Sequence, residues 1–285
     1  MNVALLGTGL MGYPMAERLI QCHHRITVYN RTRAKAEPLK SLGAVITSIP
    51  PEAVDPAQVV ILMLTDAIAI DKVLFSRKKC VLKNKTVIQM GTIAPSESIQ
   101  CKEKITKQGG DYFECPVLGS IKEAKEGKLH LMVGASQEQF NQWQDFLKCF
   151  GPEPKLIGPV GKGAALKLAM NQLIASHISG FSLSLGLVQR SSIKIDDFMV
   201  ILRKSALYAP MFDNKLPRML NGDYSNPNFS TQHMLKDVML FLKEAKSKGL
   251  ATNSLETIEK ILSQTLEKSG PEVDYSSLFD VVNPK

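Results

Sequence analysis

Short apolar runs alternate with longer amphipathic stretches along the first half of the chain. Within Met11–Cys22, apolar residues recur at the spacing of one helix face. Strands that alternate with helices predict βαβ units and a mostly parallel sheet with right-handed crossovers. A further helix is predicted over Glu138–Cys149. The runs with strand composition are Val3–Leu6, Ile26–Tyr29, Val59–Leu64, Thr86–Met90, Asp111–Glu114 and Leu129–Val133.

The pattern changes at the loop-forming sequence Gly151–Pro154, which is followed by the glycine-rich stretch Gly158–Gly163. Beyond it the apolar spacing is helical to the end of the chain. One helix face is formed by Leu235, Val238, Met239 and Leu242, and Gly249 is expected to end that helix. The apolar face of the next helix is formed by Leu255, Ile258, Leu262 and Leu266. The sequence therefore predicts an α/β domain over residues 1–161, a long interdomain helix over 162–190 and an all-α domain over 191–285.

Composition places the chain among ordinary folded proteins. Its 285 residues are 44% hydrophobic and 22% charged, which is too apolar for a disordered chain. The net charge of +8 is spread along the chain, so it suits an anionic small ligand or nucleic acid without choosing between them. The five cysteines are scattered and form no CxxC pair, which favours reduced thiols and a cytoplasmic location.

The sequence pattern predicts neither a signal peptide nor a membrane-spanning helix. The chain opens directly into the first apolar run, so we expect no signal peptide. The uncharged stretch Leu168–Gln189 has the length of a membrane span, but it carries polar residues that lipid would leave without partners. We interpret it as a long helix buried inside protein.

The sequence Gly7–Gly12 (GTGLMG) is a GxGxxG motif placed directly after a strand and at the start of a helix. In that setting the first glycine permits a tight turn and the second lets the backbone approach a pyrophosphate. The third allows the helix to pack on the strand, and the helix N-terminus faces the anion. The motif predicts a dinucleotide site; the alternative is a plain tight turn between strand and helix.

The end of the second predicted strand indicates which dinucleotide is bound. NAD-preferring sites carry an acidic residue there, whereas this strand is followed by Asn30, Arg31, Thr32, Arg33 and Lys35. Cations and a hydroxyl suit a 2′-phosphate, and a guanidinium such as that of Arg31 pairs with phosphate in a bidentate manner. The pattern favours NADP; the alternative is a solvated, basic helix start.

Lys167 and Asn171 are four residues apart on an otherwise apolar helix and so project from one face. A lysine in such a segment is costly unless its charge is used or solvated. In carbonyl reduction an ammonium can protonate the developing alkoxide while hydride reaches the carbon, and Asn171 could hold the ammonium or the substrate oxygen. The alternative is a lysine that extends to water near a helix start. His177, further along the helix, is interpreted as a core histidine.

Four separated segments resemble the β-hydroxyacid dehydrogenases, a family that includes 3-hydroxyisobutyrate dehydrogenase and the glyoxylate/succinic semialdehyde reductases. The resemblance covers essentially the whole chain. It implies a Rossmann domain joined through one long helix to a helical domain. The segments are Gly7–Leu19 (GTGLMGYPMAERL), Cys115–Ser120 (CPVLGS), Gly158–Asn171 (GPVGKGAALKLAMN) and Leu235–Leu240 (LKDVML).

The resemblance also implies roles for individual residues. Lys167 would be the catalytic acid/base, supported by Asn171. Residues 30–35 are similar to the NADP-preferring reductase branch. The remaining expected cofactor contacts are Gly7, Gly9, Leu10, Met11, Gly12, Met63, Leu64, Thr92 beside the nicotinamide, and Lys236 from the helical domain; Leu118, Gly119, Ser120 and Phe229 would line the substrate pocket.

One position departs from the family pattern. The substrate loop of the family commonly reads Pro-Val-Ser-Gly, with a serine that helps to hold the substrate carboxylate, and here that position is Leu118. A leucine cannot donate a hydrogen bond, so carboxylate binding would fall to the backbone of Gly119 and Ser120, to the Ser120 hydroxyl, or to another group.

The function predicted from the sequence is NADPH-dependent reduction of a short semialdehyde or 2-oxo acid, such as succinic semialdehyde or glyoxylate. Three alternatives stay open: oxidation of a 3-hydroxy acid, reduction of a carbon–nitrogen double bond, and a binding protein without turnover. Retention of Lys167 argues against the last two. We expect no metal, nucleic-acid or membrane partner, and a homo-oligomer (a dimer or tetramer).

Overall fold

A parallel sheet is built from the short apolar runs of the first half of the chain. The computed structural model describes residues 1–76 and 80–284 and divides into two units, Met1–Lys167 and Leu168–Lys285. In the described part of the first unit the sheet has nine strands. They are β1 Asn2–Leu6, β2 Arg25–Tyr29, β3 Val45–Thr47, β4 Val59–Leu62, β5 Thr86–Gln89, β6 Asp111–Glu114, β7 Val117–Leu118, β8 His130–Gly134 and β9 Lys155–Gly158.

The strand order is β3-β2-β1-β4-β5-β6-β8-β7, and β9 pairs with β8. All pairs from β3 to β6 are parallel, whereas β6 and β7 run antiparallel to β8. The chain leaves β1 for β2 on one side and returns to β4 on the other. The order therefore reverses between β1 and β4, and in open α/β sheets ligands bind at the carboxyl ends of the strands where this happens.

Both faces of the sheet are covered, which explains why its strands are apolar without alternation. Val3 and Leu5 belong to one buried cluster, and Ala4 and Leu6 belong to the other. Successive side chains of a strand point to opposite faces, so each face requires its own set of apolar residues. The helices of this unit are α1 Gly12–Gln21, α2 Pro50–Val54, α3 Ala67–Leu74, α4 Pro95–Lys107, α5 Ile121–Glu126 and α6 Gln137–Leu147, with 3₁₀ turns at Arg33–Lys35 and Glu37–Leu42.

The strands that the sequence did not predict are short or lie in turn-forming sequence. β3 has three residues and β7 has two, which is too few for a hydrophobic pattern to show. β9 begins directly after the predicted loop Gly151–Pro154 and ends at Gly158, which has φ +150° and starts the glycine-rich stretch. β4 ends two residues before the predicted end, and that difference places Met63 and Leu64 in the loop at the carboxyl edge of the sheet.

The second unit is helical, as expected. Its core contains Phe181, Val238, Leu255 and Leu262. The helix Lys162–Arg190, α7, contains the division between the two units. The others are α8 Ile195–Arg203, α9 Pro210–Asn221, α10 Thr231–Ser247, α11 Asn253–Ser269 and α12 Phe279–Val282, with a 3₁₀ turn at Tyr275–Leu278.

Individual positions in this unit confirm some predictions and correct others. Gly249 has φ +74° just after α10, where the left-handed conformation favours glycine. Met239, expected on the buried face of α10, is exposed, and Asp237 is buried instead. The interpretation of His177 as a core residue was wrong: its side chain is exposed and meets Phe212 edge-on at 6.3 Å between ring centroids.

Across residues 1–76 and 80–284, we find no helix that is both long enough and apolar enough to span a membrane.

Candidate active site

The glycine-rich loop is shaped by its two outer glycines. Gly7 has φ +105°, and a Cβ built there would lie 2.3 Å from the Met63 carbonyl oxygen. A Cβ at Gly12 would lie 2.0 Å from the Gly7 carbonyl oxygen. Neither position tolerates a side chain, because the loop turns sharply and α1 packs directly against it.

The geometry of the same loop suits a dinucleotide. A Cβ at Gly9 would meet no atom within 4 Å, so open space lies over the backbone where a pyrophosphate would approach. Helix α1 begins here with no side-chain cap and no acidic residue in its first turn, which leaves its N-terminus to an anion. The Thr8 hydroxyl oxygen is buried and has no partner within the described residues. These features fit the phosphate groups of NAD or NADP.

Asn30 joins the end of β2 to the glycine loop. Its Oδ1 accepts a hydrogen bond from the Thr8 backbone N–H at 3.0 Å, and its Nδ2 donates to the Thr32 carbonyl oxygen at 2.8 Å. Arg31 is exposed beside this junction, and no ion pair to it occurs in the described part of the chain. Arg33, in contrast, pairs with Glu37 at 3.1 Å. Of the two guanidiniums, Arg31 is the one available to a phosphate.

Two further loops reach the same edge of the sheet. Met63 and Leu64 follow β4, and the Met63 carbonyl oxygen lies against Gly7 as described above. A Cβ at Gly91, after β5, would lie 2.6 Å from the Leu64 carbonyl oxygen. The predicted cofactor residues of β1, β4 and β5, including the half-buried Thr92 next to Gly91, are therefore brought together at the point where the strand order reverses.

In the predicted substrate loop, the hydrogen-bond donors of Ser120 are bound by the carboxylate of Glu123. Ser120 begins α5, and both its backbone N–H and its hydroxyl donate to the Glu123 carboxylate, the N–H at 2.7 Å. These two hydrogen bonds lower the pKa of Glu123, so it is ionised at neutral pH. Leu118 is half-buried in β7 and Gly119 is exposed with φ +144°. The Ser120 donors expected to hold a substrate carboxylate are thus engaged within the chain.

Lys167 lies in the second turn of α7 and is buried, with 9% of its surface exposed. A buried ammonium is costly to desolvate, and buried lysines are accordingly rare unless they are paired or functional.

Asn171, one turn after Lys167 along α7, has a fixed amide. Its Nδ2 donates to the Asp237 carboxylate at 2.6 Å, and both residues are buried. The other Asp237 oxygen lies 2.9 Å from the Lys236 ammonium. The Asn171 Oδ1 is buried and has no hydrogen-bond partner among the described residues. The amide therefore presents an acceptor, which suits a cationic or hydroxyl donor.

Phe229 is half-buried at the start of the segment that leads into α10. Its ring lies 5.8 Å from the Tyr275 ring, and its carbonyl oxygen accepts from the Tyr275 backbone N–H. This contact holds the position of the predicted pocket residue within the helical unit.

Two other chemistries find no support in the described residues. Burial raises the pKa of the Cys115 thiol well above its ordinary value, so this cysteine beside the substrate loop is unreactive as a nucleophile. No group of three His, Cys, Asp or Glu side chains within residues 1–76 and 80–284 is arranged to hold a metal ion.

Comparison with known proteins decides the family. Residues 2–158 match the family described as the NAD binding domain of 6-phosphogluconate dehydrogenase. Residues 161–282 match the family described as the NAD-binding of NADP-dependent 3-hydroxyisobutyrate dehydrogenase. The chain is 31% identical over 289 residues to glyoxylate/succinic semialdehyde reductase 1 of Arabidopsis thaliana, covering 99% of this chain and 98% of that protein. The chain belongs to the β-hydroxyacid dehydrogenase family.

Other members of the β-hydroxyacid dehydrogenase family agree with this assignment. The chain is 27% identical to 2-hydroxy-3-oxopropionate reductase of Escherichia coli, over 99% of this chain and 97% of that one. The crystal structure of a 3-hydroxyisobutyrate dehydrogenase from Salmonella typhimurium superposes with a TM-score of 0.89 at 19% identity, covering 99% of both chains, which shows the shared fold. The chain is thus an NAD(P)-dependent oxidoreductase of the hydroxyacid dehydrogenase type.

Three acidic residues of this β-hydroxyacid dehydrogenase were not predicted from the sequence to act at the site. Asp237 was quoted within a motif without a role, although an acid between apolar positions of a helix face is a signal of a buried partner. Glu123 forms a capping box with Ser120, which the Ser-x-x-Glu spacing indicates. Glu114 ends β6 (Asp-Tyr-Phe-Glu) and is buried, whereas Asp111 at the start of the strand is exposed.

Proposed function

We propose that the protein is an NADPH-dependent reductase of a short semialdehyde or 2-oxo acid, with succinic semialdehyde and glyoxylate as candidate substrates. The observation that carries the proposal is the buried Lys167, one turn from an amide whose only unpartnered atom in the described residues is an acceptor. A reductase needs a proton donor held in place while charge develops on the substrate oxygen. The 31% identity to a plant glyoxylate/succinic semialdehyde reductase supports the substrate class.

The residues divide the work as follows. When bound, the nicotinamide supplies the hydride. Lys167 donates a proton from its ammonium to the developing alkoxide. Asn171 holds that ammonium or the product hydroxyl with Oδ1, because its Nδ2 is committed to Asp237. Thr92, Met63 and Leu64 line the cofactor, and the roles of Lys236 and Phe229 stay those that the resemblance implies.

The preference for NADPH rests on the end of β2. No acidic residue follows the strand to accept from a ribose hydroxyl, and Arg31 is exposed and unpaired within the described chain. Thr32 and Lys35 are exposed on the same segment. A 2′-phosphate would therefore meet a guanidinium, an ammonium and a hydroxyl, whereas NADH would gain nothing there.

A substrate carboxylate would compete with Glu123 for the hydrogen-bond donors of Ser120. Because the Ser120 N–H and hydroxyl already donate to Glu123, a carboxylate must displace Glu123 or bind other donors, such as the Gly119 backbone. Leu118 removes the hydroxyl that this position provides in the family pattern. Because of these two features, the assay compares carboxylated substrates with an uncharged aldehyde.

The test is an initial-rate panel with NADPH and NADH in parallel. The substrates are succinic semialdehyde, glyoxylate, and an uncharged aldehyde of the same length as succinic semialdehyde. We expect a large preference for NADPH, with one carboxylated substrate dominant. The reverse assay with 3-hydroxyisobutyrate and NAD⁺ is the comparison for the oxidative alternative.

Each pattern of rates has a definite meaning. Equal or faster rates with NADH contradict the role of Arg31. Turnover of the uncharged aldehyde alone contradicts the substrate class and shows that Leu118 and Glu123 have redirected the pocket. Faster oxidation of 3-hydroxyisobutyrate with NAD⁺ than any reduction supports the alternative function.

We also propose that the protein acts as a homo-oligomer in the cytoplasm. The helical unit exposes large apolar residues, among them Leu183, Leu187, Ile201 and Leu207. Large exposed apolar patches are typical of protein–protein interfaces, so these side chains support self-association. The five cysteines are all free, as expected in a reducing compartment.

A further inference from the structure

The N-terminus of α7 has no capping side chain of its own. The residue before the helix is Gly161, with φ +98°, and a glycine has no side-chain oxygen to accept from the first-turn N–H groups. Such groups cost free energy when they are buried without partners. In this protein a residue from the sheet takes the place of the cap.

That residue is Glu114, at the carboxyl end of β6. Its Oε2 accepts from the Gly161 N–H at 2.9 Å and its Oε1 accepts from the Ala164 N–H at 3.0 Å. The Gly163 N–H also donates to the carboxylate. A single side chain, 1% exposed, therefore binds three of the N–H groups at the start of α7, and the Lys162 N–H donates to the Pro159 carbonyl oxygen instead.

The surroundings of the carboxylate are built to hold it. Ser98 of α4 donates its hydroxyl to Glu114 and accepts from the Tyr112 hydroxyl at 2.7 Å. A Cβ at Gly134 would lie 2.1 Å from Glu114 Oε1, and one at Gly163 would lie 2.9 Å from the same oxygen. At Gly134 only glycine leaves room for the carboxylate. At Gly163 a side chain would also meet the Met132 carbonyl oxygen at 2.4 Å, so two groups require the glycine in the sequence GKG that opens α7.

Burial and hydrogen bonding oppose each other at this group. Desolvation raises the pKa of Glu114, and the four donors favour the ionised form and reduce that rise. A negative charge at the start of a helix is also favoured by the partial positive charge of its unpaired N–H groups. The ionised carboxylate is thus stabilised by hydrogen bonds and by the helix N-terminus.

Lys167 lies one turn after Ala164 on the same helix. Cα–Cβ bonds tilt toward the N-terminus of a helix, so the Lys167 side chain leaves α7 toward the turn that Glu114 caps. Residues 114 and 161–167 all belong to the first unit, which also holds the glycine-rich loop. Through this cap, the sheet that carries the cofactor residues fixes the start of the helix that carries the proton donor.

We propose that Glu114 is a positioning residue for Lys167: its cap fixes the first turn of α7 and so holds the ammonium in line with the substrate oxygen. The proposal rests on the function proposed above. Loss of the cap frees the turn to shift, and a displacement of about 1 Å between reacting groups costs on the order of 100-fold in rate.

The test compares Glu114→Gln with the wild-type protein. Glutamine keeps the length of the side chain but turns one acceptor into an NH₂ group that faces backbone N–H groups. We expect kcat to fall about 10- to 100-fold while the Kd of NADPH stays within about twofold. The kinetic isotope effect with deuterated NADPH should rise, because misalignment slows the chemical step rather than product release.

Ser136→Ala is the matched control, because Ser136 caps α6, a helix without a proposed catalytic residue. We expect this variant to lose stability with unchanged kcat. If Glu114→Gln does not fold, Ser98→Ala removes one of the four donors and should lower kcat several-fold with the same rise in the isotope effect. A loss of stability with unchanged kcat in either Glu114→Gln or Ser98→Ala would overturn the proposal and leave Glu114 a structural cap alone.

Hydrogen exchange separates this inference from the proposed function. The backbone N–H groups of residues 163–167 should lose protection in Glu114→Gln and keep it in Ser136→Ala, whatever substrate the enzyme takes. Unchanged protection in Glu114→Gln would overturn the inference by itself. A wild-type protein that reduces no member of the substrate panel would contradict the proposed function without altering the exchange result.

Discussion

At the scale of single residues, the ability of a side chain to bind substrate or cofactor depends on which of its polar atoms already form hydrogen bonds within the chain. Asn171 donates to Asp237 and keeps an acceptor, Asn30 is committed at both ends of its amide, and Ser120 donates twice to Glu123. The sequence identified all three residues, but only the Ser120–Glu123 pair has a local spacing that indicates which atoms bond. Partners such as Asp237 lie 66 residues away, and no local pattern connects them.

The choice of dinucleotide is tested by two neighbouring arginines. Arg31→Ala should raise the KM of NADPH about 10- to 100-fold, because a charge-assisted hydrogen bond contributes about 1.5–3 kcal/mol. The KM of NADH should stay unchanged, since NADH has no phosphate at that position. Steady-state kinetics with both cofactors measures this.

Arg33→Ala is the control for that prediction, because Arg33 already pairs with Glu37 on the surface. Its effect on the KM of NADPH should be less than about twofold. An equal effect of both substitutions would show that the segment acts only through its net charge. No effect of either would remove the structural argument for NADPH.

At the scale of elements, the sequence predicted the central strands well and the edges poorly. The apolar runs of β1, β2, β4 and β5 are buried on both faces, which gives a signal that does not depend on alternation. β3, β7 and β9 are short, and their pairing is decided by the neighbouring strands rather than by their own composition. The long helix α7 was predicted as the helix that joins the two domains, and the structure divides the chain within it, after Lys167.

A buried ion pair joins elements of the helical unit. The Lys215 ammonium of α9 lies 2.7 Å from the Asp274 carboxylate, and both side chains are almost fully buried. Asp274 also accepts from the Ser276 N–H and hydroxyl. Burial lowers the pKa of Lys215 despite the attraction of Asp274, so the pair is stabilised only while both partners are present.

We therefore expect Lys215→Met to lower the free energy of unfolding by about 3–5 kcal/mol, because it leaves the Asp274 charge buried and alone. Lys215→Met/Asp274→Asn should recover part of that loss. Urea denaturation followed by circular dichroism measures both. The exposed pair of Arg203 and Asp213 is the control, and Arg203→Met should cost less than about 1 kcal/mol. Equal losses for Lys215→Met and Arg203→Met would contradict the account of the buried pair.

At the scale of the whole molecule, the family assignment and the local geometry support each other. The two family matches together cover residues 2–158 and 161–282, and the motifs that suggested the family from sequence lie in both. The glycine loop, the β4 and β5 loops and the end of β2 meet at one edge of the sheet. The identity of the substrate could not be predicted to the same depth, because Leu118 and Glu123 change the loop on which the resemblance relies.

The proposed function depends above all on Lys167 delivering the proton during NADPH-dependent reduction. The most direct measurement is the single-turnover rate and kcat of Lys167→Ala with the best substrate of the panel, together with the Kd of NADPH. Lys162→Ala is the control, because Lys162 is an exposed lysine of the same helix. General acid catalysis contributes about 10²- to 10⁴-fold. We predict a loss of kcat of that size in Lys167→Ala, with NADPH binding within about twofold of wild type and Lys162→Ala unchanged. A Lys167→Ala variant that keeps the wild-type kcat would contradict the account.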